Sequence, residues 1–394
     1  MNRRFFVGSS MLAATAAMAQ RAVVEREGSG KIAINLGGYR SGSDAASRTF
    51  LSVLKADLNR SGYFSVSSSG GAVNVTGQVS AGSRIKADVA VYNASTRQRM
   101  LGKSYPAELS QVRAMAHKVA DDIVYAVTGK RGMASGKIAV VGTRTGRKEL
   151  HIFDMDGQGM RQVTNDRSIV VDARWTPDGK NLVYTSYKRG YPNVFMTGES
   201  KPLAAYGGMN ASGAVSPDGK SMAVILSKDG NPELYVKSLR FGGGVTKLTK
   251  TRRGNEASPC WSPDGNHIAF VSDSSGRPQI YIVSKDGGTP QRLTSSGTEN
   301  VAPDWGKNNY ITFCTRSGGR YRVAIIDPKT RSTRVLETDW ADYEDPCWAP
   351  DGRHIVCSRT SGYRSSIYLL DTLKDSPVAL ISGSGDWYSP ACSP

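Results

Sequence analysis

The sequence predicts a mainly β protein, a six-bladed β-propeller preceded by a small α/β domain, and three observations support this. A Trp-Ser-Pro-Asp-Gly motif, complete at residues 261–265, recurs whole or in part at positions 175, 215, 261, 305, 348 and 392. These copies lie about 40–46 residues apart, the length of one four-stranded blade. Short β-branched and aromatic runs follow the complete copies, as at 268–271 and 279–283. Residues 31–130, ahead of the repeat, have a different pattern.

We divide the chain into four parts. Residues 1–19 resemble an export signal, with Arg3 and Arg4 before an apolar run and cleavage expected after Ala19. The run is too short for a membrane span, so we expect a periplasmic protein with no transmembrane span after cleavage. Sec and twin-arginine export both remain open. Residues 20–30 are polar and expected to be flexible, 31–130 form the α/β domain, and 131–394 form the propeller.

The α/β domain is predicted from two kinds of periodicity. Alternating apolar residues indicate strands, and apolar residues at helical spacing indicate helices. Gly129 follows the last helix and supplies its C-cap. The expected elements are strands at 32–36, 73–79, 85–92 and 100–104 and helices at 45–59 and 109–127.

Each repeat has a structural explanation. In the Ser-Pro-Asp-Gly element, proline presets φ, aspartate caps the backbone and glycine adopts the left-handed conformation, which closes a hairpin between the first and second strands. The preceding Trp is large enough to fill the gap between adjacent blades. Six units open near residues 137, 181, 221, 266, 309 and 353. Residues 389–392 match the start of another unit, so we expect the C-terminal strand to enter the first blade and close the ring.

Composition excludes some classes of function. The chain has 51 basic and 34 acidic residues, a formal charge of +17, but no long basic run or basic-aromatic array, so we expect no nucleic-acid binding. The positive charge instead favours an acidic partner or an anionic envelope surface. Separately, we expect the protein to be a monomer. Five cysteines occur in the propeller: Cys260, Cys314, Cys347, Cys357 and Cys392. We expect them to serve mainly as small buried apolar side chains. Disulfide pairing stays open, including a bond between Cys347 and Cys357 across one hairpin.

We predict no catalytic, cofactor or metal site. The four histidines, at 117, 151, 267 and 354, lack metal-ligand spacing, and there is no Gly-x-Ser-x-Gly motif. Asp154 and Asp156 resemble the start of a calcium loop, but the later acidic ligands are missing and a turn belongs there.

The remaining candidate is a binding surface at one end of the propeller channel. Loops that enter the innermost strands and loops that join the second and third strands open on this face, and loops on a rigid scaffold often carry binding. The predicted partner-binding residues in the entry loops are Arg167, Asp172, Met209, Asn210, Arg252, Arg253, Asn255, Glu256, Glu299, Asn300, Asp342, Glu344 and Asp345.

The order of these features resembles the TolB family. An export signal leads into a small α/β domain whose last helix ends in Val127-Thr128-Gly129, six Trp-Ser-Pro-Asp-Gly-type blades follow, and the chain ends in Ser-Pro-x-x-Ser-Pro. The resemblance covers essentially the whole mature chain. Two places differ from the family pattern: residues 20–30 are shorter, and the third entry, residues 210–215, lacks the usual proline and aromatic residue.

The resemblance implies a non-catalytic periplasmic scaffold of the Tol-Pal system, which supports outer-membrane integrity and constriction at division. It implies that the propeller mouth binds the peptidoglycan-associated lipoprotein Pal, with other outer-membrane lipoproteins as further candidates. It also implies that the N-terminal part binds TolA. The residues concerned in the N-terminal segment are Arg21, Val23, Val24 and Glu25.

Two enzyme-related alternatives remain. Propellers of this repeat type also occur as lyases of acidic sugars, and the positive charge suits such substrates, so a propeller lyase or another carbohydrate-active enzyme acting on acidic sugars is the first alternative. The lyases that resemble this repeat use channel histidines and a metal, whereas none of the four histidines here falls in an entry loop. A peptidase accessory propeller is disfavoured because no stretch of the chain remains for a catalytic domain.

Overall fold

The computed structural model describes residues 30–373 and 376–394. The predicted signal peptide, residues 1–19, therefore lies outside the described residues. So do Arg21, Val23, Val24 and Glu25, the predicted TolA-binding positions. Within the described part, no helix is both long and apolar enough to cross a membrane.

A mixed sheet forms the N-terminal domain. The strand order is β3-β1-β4-β5-β6, with β2 also pairing with β4; β1, β2 and β3 run parallel to their partners, and β4, β5 and β6 are antiparallel. The strands are β1 (Ile32–Asn35), β2 (Tyr39–Ser41), β3 (Phe64–Ser67), β4 (Val73–Ala81), β5 (Ile85–Asn93) and β6 (Arg99–Ala107).

Two helices, α1 (Ala45–Arg60) and α2 (Val112–Thr128), pack against this sheet and against each other. The Asp44 carboxylate caps α1 by accepting the Ser47 amide at 2.8 Å. A single 3₁₀ turn, Leu109–Gln111, precedes α2, and Gly129 ends it in the left-handed conformation with φ 70°. The two helices and the sheet enclose one apolar core.

The rest of the chain forms a ring of six sheets, which confirms the predicted propeller. Blade 1 comprises β7 (Lys137–Gly142), β8 (Glu149–Asp154), β9 (Arg161–Gln162) and the C-terminal β29 (Trp387–Cys392). Blade 2 comprises β10 (Val170–Trp175), β11 (Leu182–Ser186) and β12 (Asn193–Met196); blade 3 comprises β13 (Asn210–Val215), β14 (Ser221–Leu226), β15 (Glu233–Ser238) and β16 (Val245–Lys247).

Blades 4 to 6 each have four strands. Blade 4 comprises β17 (Glu256–Trp261), β18 (His267–Ser272), β19 (Gln279–Ser284) and β20 (Gln291–Arg292). Blade 5 comprises β21 (Glu299–Trp305), β22 (Ile311–Ser317), β23 (Arg320–Ile326) and β24 (Thr333–Val335). Blade 6 comprises β25 (Asp342–Trp348), β26 (His354–Ser361), β27 (Arg364–Asp371) and β28 (Val378–Ile381).

Blade 2 differs from the expected four strands because its outer strand is reduced to one bridge, between Val194 and Ala204. The preceding Pro202 has no amide hydrogen to donate to a ladder, so only the next two residues pair with β12.

The repeated motif has the structural role expected of it. Ser262 donates to Asp264 at 2.5 Å and accepts the His267 amide, while Gly265 has φ 70° and completes the turn. The Trp261 indole donates to the Ala214 carbonyl of the preceding blade at 2.8 Å. The Trp175 indole likewise donates to the Ala391 carbonyl of blade 1 at 3.0 Å. The motif therefore closes a hairpin, and these two tryptophans join neighbouring blades.

The N-terminal domain docks on blades 1 and 6, at the end of the ring where the Pro-Asp-Gly turns lie. The Arg353 guanidinium donates to both oxygens of Asp371, at 2.9 and 2.5 Å, and to the Gly62 carbonyl at 3.1 Å. It also lies over the Tyr63 ring at 4.5 Å. Because Arg353 and Asp371 are 5% and 3% exposed, this contact is a buried part of the domain junction.

A second buried network joins α2 to the β8–β9 turn. His117 Nδ1 lies 2.6 Å from Asp57, and its Nε2 lies 3.6 Å from Asp154 of blade 1. Burial by itself lowers the pKa of His117, but the Asp154 and Asp57 carboxylates outweigh it and raise the pKa to about 9. Arg113 pairs with Asp156 of the same turn. The histidine therefore carries its proton at neutral pH and attracts carboxylates from both domains.

The junction also involves part of the polar face of α2. Arg113, Lys118, Asp121 and Asp122 look from the sequence like its solvated face. Arg113 instead contacts blade 1, and the Asp121 carboxylate accepts the amides of Ala134 and Ser135 in the interdomain linker. Lys118 and Asp122 lie outside the junction and pair with each other, and Lys118 is exposed as expected. The polar face of α2 is therefore partly solvated and partly a docking surface.

Candidate partner-binding site at the propeller mouth

The mouth is the end of the channel opposite the N-terminal domain. In each antiparallel blade, the loop entering the innermost strand and the loop joining the second and third strands lie at the same end. The contacts between the N-terminal domain and the ring described above involve turns of the other end, around Asp154, Arg353 and Asp371. Within the described residues, the mouth face is therefore left uncovered.

A ring of left-handed residues lines the channel just inside the mouth. Each innermost strand has a β-bulge at the same position, and the bulged residue has φ between 46° and 54°. Ser212 donates to Asp172 at 3.0 Å and Ser389 donates to Asp345 at 2.7 Å, so the ring is linked between neighbouring blades. The six residues are Asp172, Ser212, Ser258, Ala302, Asp345 and Ser389; they surround a cavity of about 70 Å³.

Below this ring an ion pair crosses the channel. Arg174 of blade 2 donates to Asp304 of blade 5 at 2.7 Å and to the Pro303 carbonyl at 3.1 Å. The pair separates the upper cavity from a cavity of about 370 Å³ at the other end, which the repeated Trp residues line. A partner group that reaches into the upper cavity would therefore meet Arg174 at its lower end.

Three predicted contact residues are buried, which corrects their expected position at the mouth surface. Asn210, Glu256 and Asn300 are 0%, 2% and 1% exposed. Asn210 bonds to the backbone of residues 206 and 208, and Asn300 donates to Gln279. All three occupy the strand position two residues before the bulge, where every blade buries a side chain; the others are Val170, Tyr343 and Trp387.

The buried Glu256 lies beside a second carboxylate. It accepts from Ser272 at 2.9 Å and from Thr251 at 3.3 Å, and Glu233 of blade 3 is 1% exposed next to it. Burial and then the Glu233 charge raise the pKa of Glu256 to about 7. Below about pH 7 Glu256 is therefore protonated, and in this neutral form it can lie buried beside Glu233 where blades 3 and 4 meet.

We expect Glu256→Gln to stabilise the protein at alkaline pH. In the unfolded chain Glu256 loses its proton near pH 4.5, but in the folded protein it keeps it until about pH 7. Rising pH across this window therefore destabilises the wild type, and the neutral Gln avoids this loss. Urea unfolding at pH 8 should show the variant about 1–2 kcal/mol more stable, with less difference at pH 5. The exposed Glu337→Gln is the matched control; equal effects from both variants would contradict the buried pair.

Acidic side chains gather on the blade 5 and blade 6 side of the mouth. Glu299 accepts from the Tyr321 hydroxyl at 2.9 Å, and Asp342 accepts the Tyr321 amide at 2.8 Å. Burial, followed by the charges of Asp345, Asp342 and Glu299, raises the pKa of Glu344 to about 7. Burial likewise raises the pKa of Asp345. The raised pKa values show that carboxyl groups are crowded on this side of the mouth, and a hydrogen-bond donor or a cation from a partner would relieve this crowding.

The predicted basic positions lie elsewhere on the rim. Arg167, Arg252 and Arg253 are exposed, as is Asn255, whose backbone and side-chain amides donate to Asp273. The predicted arginines thus lie in the loops entering blades 2 and 4, whereas most of the predicted acidic residues lie at blades 5 and 6.

Two other predicted contact residues differ in exposure. Met209 is partly buried against the core between blades 3 and 4. Asp172 faces the channel and stays open to water, although the surrounding strands and the charge of Asp345 raise its pKa.

Sequence reasoning missed three aromatic side chains on this face. Trp340, in the loop entering blade 6, is 85% exposed, and Arg320 stacks over its ring at 3.9 Å. Tyr191 and Tyr363, in loops between second and third strands, are 74% and 101% exposed. Large aromatics flanked by charged loop residues are a sequence signal that could have identified them. Such side chains are typical anchors of protein interfaces.

A cluster with metal-ligand types occurs away from the mouth. Asp57, His117 and Asp156 offer ligand atoms within 4.8 Å of one another. Arg113 already pairs with Asp156, and Arg60 pairs with Asp57 at 2.9 Å. With these cations and the protonated His117 neutralising the carboxylates, the cluster functions as the interdomain ion-pair network described above.

Comparison with known proteins places the chain among propellers of one kind. A family model described as the TolB β-propeller domain matches residues 124–394. The Tol-Pal system protein TolB of Desulfotalea psychrophila is 35% identical over 157 residues, which is 39% of this chain and 36% of that protein. The Tol-Pal system protein TolB of Bordetella pertussis is 31% identical over 233 residues, 53% of each chain. The matched region thus spans between about a third and a half of these curated relatives.

A solved structure extends the similarity to the N-terminal domain. The crystal structure of TolB from Acinetobacter baumannii superposes with a TM-score of 0.81 at 28% sequence identity. The superposition covers 93% of this chain and 97% of that chain, so both domains and their order match.

Proposed function

The chain belongs to the TolB β-propeller family of the Tol-Pal system, and on this premise we propose that it is a non-catalytic periplasmic scaffold. In this proposal the propeller mouth binds the peptidoglycan-associated lipoprotein Pal, and the N-terminal part binds TolA. By linking these partners the protein supports outer-membrane integrity and constriction at division.

The observation that carries the assignment of Pal binding to the mouth is that exposed aromatic side chains are presented there by a rigid propeller ring. Trp340, Tyr191 and Tyr363 stand exposed on loops of a rigid ring, among acidic and basic side chains. Exposed aromatics next to charged groups supply the buried anchors and the polar rim of a protein interface. The N-terminal domain leaves this face open and occupies the other end.

Co-purification tests the proposal against the enzyme alternative. Tagged mature protein, residues 20–394, is expressed in its own host, the envelopes are crosslinked, and the retained proteins are identified by mass spectrometry. We expect a lipoprotein with a peptidoglycan-binding domain, together with TolA. Recovery of neither, combined with bound metal and cleavage of oligogalacturonate, would instead support a lyase.

A further inference from the structure

Two cysteines meet where the propeller ring closes. Cys347 lies in β25 of blade 6, Cys392 lies in β29 of blade 1, and their sulfur atoms are 2.7 Å apart. This is well inside the contact distance of unbonded sulfur atoms and close to the S–S bond length of about 2.05 Å. We propose that Cys347 and Cys392 form a disulfide in the mature protein, which covalently joins the last blade to the strand that completes the first.

The surrounding structure already holds both side chains in place. Cys347 is 4% exposed, and both cysteines pack in the apolar cluster that contains Trp387. Cys392 pairs with Ile138 of β7, and the Ser393 amide donates to the Lys137 carbonyl at 2.9 Å. The backbone of β29 is therefore fixed on both sides of the sulfur, and bond formation needs only a small side-chain movement.

The other cysteines are not placed to compete. Cys347 is paired across the hairpin with Val356, so Cys357 projects from the opposite face of the blade 6 sheet and packs with Trp348. Cys314 of blade 5 donates to the Tyr343 carbonyl at 3.5 Å. Cys260 lies in blade 4, in the core shared with blade 5. Only one of the pairings that the sequence left open brings two sulfur atoms together.

Forming the disulfide requires an oxidant that accepts two electrons. The two thiols lose two protons and two electrons as their S–S bond forms. The S–S bond of oxidised glutathione or of a thiol–disulfide oxidoreductase accepts them and breaks to give two thiols. Exported proteins meet such oxidants, so occurrence of the bond in the cell depends on the export in the proposed function. Burial raises the pKa of the Cys392 thiol well above its usual range. Because exchange needs a thiolate, we place the reaction before β29 docks.

The expected consequence is a more stable ring. The bond closes a loop between residues 45 positions apart and prevents β29 from detaching from blade 6. We expect the oxidised protein to melt about 5–10 °C above the reduced protein.

Thiol mapping of the purified mature protein tests this proposal without relying on export. The denatured protein is refolded with oxidised and reduced glutathione, or with excess reductant. Each product is then denatured, alkylated and analysed by mass spectrometry. After oxidative refolding, three of the five cysteines should be alkylated, and one linked peptide pair should contain Cys347 and Cys392. Reductant should leave all five free and lower the melting temperature.

Single variants make the result specific. Cys392→Ser should contain no linked pair, and its melting temperature should not depend on reductant. Cys357→Ser should keep the Cys347–Cys392 pair and its redox-dependent melting. Five alkylated cysteines after oxidative refolding of correctly folded protein, or a Cys347–Cys357 linkage, would overturn the proposal. Neither result bears on partner binding at the mouth, which the co-purification tests separately.

Discussion

Replacing Asp371 by asparagine is expected to lower the free energy of unfolding by about 3–5 kcal/mol. The change leaves the Arg353 guanidinium 5% exposed at the domain junction without a counter-charge. The Gly62 carbonyl and the Tyr63 ring contact the same guanidinium but carry no negative charge. The loss should appear in urea unfolding at pH 7. Trypsin should also cut the linker faster, after the exposed Lys130 or Arg131, because the docked N-terminal domain is loosened.

Two controls separate the loss of this contact from a general effect of charge. Asp286→Asn breaks an ion pair in which the aspartate side chain is 79% exposed, and should change stability by less than about 1 kcal/mol. The double change Arg353→Met and Asp371→Leu removes both charges and should recover part of the lost stability. A wild-type unfolding curve for Asp371→Asn would contradict the assignment of this pair to the junction.

Replacing Trp340 by alanine is expected to weaken capture of the lipoprotein about 30-fold or more. An exposed Trp beside a stacked Arg is the type of anchor that contributes at least about 2 kcal/mol to an interface. Because the side chain is 85% exposed in the free protein, the melting temperature should stay unchanged. Calorimetric titration of purified lipoprotein domain into each variant measures the change in affinity.

The matched control for Trp340 lies at the other end of the ring. Phe241, in the loop between β15 and β16, is likewise an exposed aromatic residue, but this loop belongs to the end opposite the mouth. Phe241→Ala should bind the lipoprotein as the wild type does. An equal loss of affinity in both variants, or in neither, would contradict the proposed anchor.

The sequence predicted the parts of this structure that depend on local interactions. The Pro-Asp-Gly turns follow from residue chemistry within five positions, and the repeat length follows from one blade. The end of α2 at Gly129 is equally local. Since each blade packs on neighbours of the same kind, a repeated local pattern was sufficient to specify the ring.

Burial at the mouth could not be predicted because it depends on a bulge. The extra residue at Ser212 or Ser258 shifts the alternation of the innermost strand, and the polar Asn210 and Glu256 consequently point inward. Their hydrogen-bond partners come from other strands and neighbouring blades, so a polar side chain there looks from sequence like a loop residue. The aromatic anchors were missed for a related reason: Trp340 lacks the repeat context that marks the buried tryptophans.

The junction was also beyond sequence reasoning. Asp57, His117 and Asp154 come from three separated segments and interact only after the two domains dock. In the sequence, each of these residues is explained locally as a polar residue of a helix or of a turn. Only the three-dimensional arrangement shows that the charges form one network.

Site-specific photo-crosslinking tests the central claim that the mouth is the partner-binding face. A photoreactive phenylalanine analogue replaces Tyr363 at the mouth or Phe241 at the opposite end, both fully exposed, and the cells are irradiated. We expect the position 363 variant to form a covalent adduct with the peptidoglycan-binding lipoprotein and the position 241 variant to form none. An adduct at position 241 with none at 363 would contradict the assignment of the mouth as the binding face.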